Sequence, residues 1–166
     1  RPNACNLCHL DRTLAWTSDH LVDWYGQPTV ELTGADRDIS AAVRWTLAGD
    51  AGQRVIAAWH FGWGPAQTAS GTTWMAPALA QTLKDPYPAV RWVGWQSLKS
   101  LPDMSAFVYD FDGPTTHRRS VVEQLTRDHP RDPLPPNNTP ARPEIFIRSD
   151  GRSDWKSMEQ LLRSRD

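Results

Sequence analysis

Cysteine is nearly absent from this chain. Cys5 and Cys8 are the two in 166 residues, so no second pair exists to complete a four-thiolate zinc site. Charge of one sign is also short. The net charge is −1 with both signs mixed, which removes the electrostatic case for nucleic acid or an anionic membrane as partner. No run approaches the ~18 apolar residues that a bilayer-spanning helix needs, and no signal peptide is visible. Nor does any Ser-His-Asp arrangement, Gly-rich phosphate loop or carboxylate pair stand at a useful spacing. Acid–base catalysis is therefore without visible machinery, and an electron carrier is expected over a catalyst.

What is there begins almost at once, with Cys5-Asn6-Leu7-Cys8-His9. Two cysteines separated by two residues and followed directly by histidine read as a c-type haem attachment site. Each thiol can add across one haem vinyl group, which makes Cys5 and Cys8 the thioether residues. His9 then meets the iron as proximal ligand. Zinc would need Cys5, Cys8, His9 and a distant histidine around one tetrahedron, a strained set. A thioredoxin-like dithiol should follow a strand, and nothing before Cys5 can be one. Haem is attached to c-type proteins outside the cytoplasm, so a periplasmic or otherwise extracytoplasmic protein is expected. With the motif at residue 5 after Arg1-Pro2-Asn3, the chain reads as a piece of something longer.

The stretch Asn3-Ala4-Cys5-Asn6-Leu7-Cys8-His9-Leu10-Asp11, then Trp16 and Trp24-Tyr25-Gly26, resembles the last haem segment of bacterial multihaem cytochromes c. In that family a row of CxxCH haems precedes a helical tail of TPR or HEAT type. The remainder of the chain also resembles that tail, most weakly after residue 130. The resemblance implies one covalent haem c and redox partners that carry haem themselves. The departure is plain: the family has several CxxCH motifs and this chain has one, so multihaem activity does not carry over.

The expected fold is all-α, with an N-terminal CxxCH haem-binding segment (1–30), HEAT-like helical hairpins (31–128), and a Pro-rich strap with a C-terminal helix (129–166). Residues 9–25 carry a helical apolar pattern that Thr17-Ser18-Asp19 could interrupt. Helices are expected at 36–48, 52–62, 72–84 and 87–101, two pairs with a repeat of about 40 residues. Leu83-Lys84-Asp85-Pro86-Tyr87-Pro88-Ala89-Val90-Arg91, followed by Ser97-Leu98, resembles the second helix of a HEAT repeat. Residues 103–113 read as a packed connector and 114–128 as one more helix. Six prolines in 129–143 predict an extended strap. Ile145-Phe146-Ile147 reads as a short strand or anchor, Asp150-Gly151 as a turn, and Ser153-Asp154 as the cap of a last helix. Asp150, Asp154 and Glu159 lack EF-hand spacing. The nine tryptophans are expected mostly in helix–helix packing, with Trp16 and Trp24 best placed to pack on the porphyrin.

Histidine is scarce enough to count for the sixth ligand: His9, His20, His60, His117 and His129. On one straight helix His20 would stand about 16 Å from His9, an objection that a break near Thr17 relaxes. His60, in Ala57-Ala58-Trp59-His60-Phe61, is the other distal candidate, and Met75 or a ligand from upstream are further ones. His117 and His129 sit in polar contexts. The expected function is an electron-transfer subunit or fragment within a larger redox complex. A haem-free HEAT-like adaptor, or the tail of a multihaem oxidoreductase with its active haem upstream, are the alternatives.

Overall fold

The structure, a computed structural model, describes residues 1–128, 142–150 and 152–164. Ten α-helices occupy the described residues, and β-structure there is confined to isolated bridges. The protein is all-α. No helix is long and apolar enough to cross a membrane.

The elements are α1 (Ala4–Cys8), α2 (Leu14–Tyr25), α3 (Gly34–Asp38), α4 (Ala41–Ala48), α5 (Ala51–Phe61), α6 (Gly64–Ser70), α7 (Met75–Thr82), α8 (Pro88–Lys99), α9 (Thr115–Asp128) and α10 (Trp155–Arg163). Two hairpins form the centre. Gly49 and Asp50 join α4 to α5, and Asp50 caps α5 in a capping box with Gln53. Residues 83–87 join α7 to α8, with Pro88 at the first helical position, where its missing N–H costs nothing. The hairpins stack like on like: α4 packs on α7 and α5 on α8. Every residue of α7 is buried, as its apolar sequence on all faces requires. Its packing on α8 is closest at Gly94, where a Cβ would run into Thr82 Oγ1. The main core runs through Leu47, Phe61, Leu79, Leu83, Leu98 and Phe146.

A buried ion pair ties one hairpin to the next. Arg54 of α5 donates from Nε to Asp85 Oδ2 at 2.7 Å and from a terminal nitrogen to Asp85 Oδ1 at 3.2 Å. The same guanidinium donates to the Gly49 carbonyl, while Asp85 Oδ1 accepts the Tyr87 N–H. Arg91 continues the pattern by donating to the carbonyls of Asp85, Pro86 and Phe111.

Several boundaries differ from the sequence expectation. The helix expected at 36–48 is two: α3 ends at Asp38 with Ile39 extended, and Ser40 starts α4 by accepting the Val43 N–H. The short α6 fills the segment between the helices expected at 52–62 and 72–84, where Pro65 in the first turn and Gly71 with a positive φ bound a single small-residue helix. Ile145 and Phe146 are core anchors after a 3₁₀ turn (Pro143–Ile145), not a strand. Asp154 caps α10 as expected. Most of the expected strap (129–143), His129 and Gly151 lie outside the described residues. The tryptophans divide: Trp45 and Trp74 are buried and Trp95 and Trp155 pack on the main core, whereas Trp24, Trp59, Trp63 and Trp92 are exposed.

Candidate functional site

The interruption expected at Thr17–Asp19 is not there. The helix α2 runs unbroken from Leu14 to Tyr25, capped by Thr13 Oγ1 on the Trp16 N–H. Gly26 closes it at φ 60°, with Gly26 N–H on Val22 O and Gln27 N–H on Leu21 O. The chain bends instead at 9–13, between α1 and α2. His9 and His20 thus sit on different elements, and their separation along a single helix no longer applies.

Cys5 and Cys8 lie three residues apart within α1, a spacing that places both thiols on one helix face. Both are free thiols, partly exposed. His9 is the cap that leaves the helix, at φ −91° and ψ 74°, with its N–H still bonded to the Cys5 carbonyl at 2.7 Å. Against this segment lies one face of α2: Trp16, His20 and Trp24 recur every four residues. Between the two helices is a cleft of about 290 Å³ lined by Cys5, Cys8, His9, Trp16, His20 and Trp24, together with Ala4, Thr17 and Leu21.

The rings along the cleft form a continuous run. His9 and Trp16 have centroids 5.0 Å apart, Trp16 and His20 4.3 Å, and His20 and Trp24 4.8 Å. Arg12 lies over the Trp16 ring at 5.8 Å. His20 Nδ1 is 2.8 Å from the Trp16 carbonyl. A carbonyl can only accept, so Nδ1 carries the proton, and in the neutral ring the lone pair is on Nε2. That is the tautomer of a metal-ligating imidazole braced by a backbone carbonyl.

The cleft is held by side chains that the motif alone does not reveal. Asn6, fully buried between the two cysteines, donates to the carbonyls of Arg12 and Thr13 and accepts from Thr17 Oγ1 and Asn3 Nδ2. Ser70 accepts the Leu10 N–H at 2.8 Å and donates to the Cys8 carbonyl at 3.1 Å. Ser40 donates to the Leu10 carbonyl at 2.5 Å. Arg142, 131 residues downstream, donates to buried Asp11 Oδ2 at 2.9 Å. Asn3, Asn6 and Asp11 fall within the stretch that carries the resemblance, whereas nothing local in the sequence marks Ser40, Ser70 or Arg142 for this task.

Of the residues the sequence singled out, the structure brings together Cys5, Cys8, His9, Trp16, Trp24 and His20. His60 does not line the cleft; it lies on α5 against Trp59 and Trp63. Met75 is fully buried in the main core. Among the described residues, no three His, Cys, Asp or Glu side chains converge as a bare-ion site. The chain is thus an all-α protein whose first two helices frame a cleft of two thiols, two imidazoles and two indoles. No protein-family model, curated protein or solved structure matches it.

Proposed function

We propose that this chain is an electron-transfer module carrying one covalently attached haem c in the cleft between α1 and α2. The observation that carries this reading is the facing of two sets of groups. Cys5, Cys8 and His9 come from one side, and His20, with its Nε2 lone pair, from the other. A haem bound there would supply one-electron transfer, and two protein ligands to its iron suit that role over ligand binding. In this reading Cys5 and Cys8 hold the porphyrin edge as thioethers, His9 is the proximal ligand and His20 the distal one. Trp16, whose indole contacts both imidazoles, would supply an aromatic wall for the flat ring. Trp24, 64% exposed at the rim, leaves one edge of the site open to a redox partner.

The stacked hairpins α4–α5 and α7–α8 support a HEAT-like scaffold, since equivalent helices pack on one another and the Arg54–Asp85 pair bridges one hairpin to the next. Such a scaffold suits a subunit of a larger extracytoplasmic, periplasmic-type redox complex, with haem-bearing chains as partners.

An absorption spectrum tests this directly on protein made in cells that attach haem c. A ferrous α band that survives denaturation is expected, and a colourless folded chain overturns the reading in favour of a haem-free adaptor. Replacing His20 with alanine should open the reduced iron to carbon monoxide. Identical carbon monoxide behaviour in wild type and His20→Ala would remove His20 as ligand.

A further inference from the structure

His60 repeats the chemistry of His20 in a second place. Its Nδ1 stands 2.8 Å from the Ile56 carbonyl, so by the same reasoning Nδ1 carries the proton and Nε2 the lone pair. Trp59 and Trp63 flank it, at centroid distances of 4.7 and 5.8 Å. Both indoles stand nearly perpendicular to the imidazole, at 82° and 86°, and within 20° of each other. The inner face of α5 is buried through Arg54, Ala57, Ala58 and Phe61. The outer face should therefore be polar. It instead exposes Ile56 and Trp59 (54%), with Trp63 (39%) just beyond its end.

A metal that uses this imidazole must bring most of its ligands along, because among the described residues no group of three His, Cys, Asp or Glu side chains forms around it. An iron porphyrin does so: it supplies four nitrogens, lacks an axial imidazole, and has an apolar face. A ring coordinated through Nε2 must stand perpendicular to the imidazole plane. Both indoles already belong to that family of orientations and can lie against such a ring.

We propose that His60, with Ile56, Trp59 and Trp63, is a second porphyrin-contact site that lends an axial imidazole to a haem other than the one bound at Cys5 and Cys8. The site lies outside the cleft and stands whether or not the cleft reading holds.

The test is a titration of the full-length chain with two probes. One is free ferric haem; the other is a short haem c peptide that carries its own axial histidine and has its sixth position open. One added equivalent with a low-spin spectrum is expected. Uptake of the peptide identifies a partner's haem c as the source, and uptake of free haem alone identifies a soluble haem. His60→Ala should weaken uptake by about tenfold or more, and added imidazole should restore the low-spin spectrum. His60→Gln provides a second variant if the alanine protein does not fold. No low-spin uptake of either probe, or uptake indifferent to His60, overturns the proposal. A colourless chain that still takes up haem through His60 overturns the cleft reading alone.

Discussion

Asn6 stands between the two cysteines without solvent contact, and four hydrogen bonds converge on its side chain. A side-chain amide offers two donors and two acceptor sites, so its capacity is filled. This matters because α1 is only five residues long and could not hold its shape by helix propensity alone. Asn6 ties it to the 12–13 turn and to Thr17 of α2, which fixes the two walls of the cleft relative to each other. Asn6→Leu keeps the volume but removes all four bonds and leaves the buried Thr17 hydroxyl without its acceptor. It should cost about 3 kcal/mol in urea unfolding and lower the yield of thiol-linked haem. Wild-type values for both would deny Asn6 its positioning role. The CxxCH spacing made the thiols legible in the sequence, whereas the middle residue of the motif carried no mark of its importance.

Among the elements, the two hairpins depend on a charge pair as well as on apolar faces. Arg54 and Asp85 are buried at the junction, 4% and 2% exposed. Removing one member of a buried pair leaves a charge without compensation, which is worse than removing both. Asp85→Asn keeps an acceptor for the Tyr87 N–H but neutralises the partner of Arg54, and should cost about 3–5 kcal/mol. The double variant Arg54→Met/Asp85→Asn should recover part of that loss in denaturant melts. A double variant no better than the single would mean that the other contacts of Arg54, not its charge, hold the hairpins. The sequence showed the four long helical stripes with limits within a few residues. It did not show α6 or the split at Ser40, because short helices have too few turns to display a period.

For the whole molecule, Tyr109 links the connector after α8 to the core. Its hydroxyl donates to the Leu83 carbonyl at the end of α7, and its ring packs among Trp95 and Phe107. Burial pushes its hydroxyl up from 10.0 to about 12. A raised native value means that its stabilisation is complete below pH 10 and is lost as the pH climbs toward 12. Wild type should lose stability across that window relative to Tyr109→Phe, and parallel pH profiles of the two melts would contradict this. The C-terminal segment makes the complementary link: the Arg142–Asp11 pair and the Ser40 N–H to Glu144 carbonyl bond attach it to the turn after α1 and to α4.

The sequence by itself determined the all-α class, the long helices, their caps at Asp50 and Asp154, and the pairing of two thiols with a histidine. All of these are local: a cap needs three residues, a stripe repeats every three or four, and CxxC spans less than one turn. Tertiary structure alone decided which histidine faces the motif, because that depends on the bend at 9–13 and on bonds from Ser40, Ser70 and Arg142. It also decided the role of the tryptophans. An apolar stripe records that a face is apolar, not whether the protein covers it, and on α2 and α5 that face is left open beside a histidine.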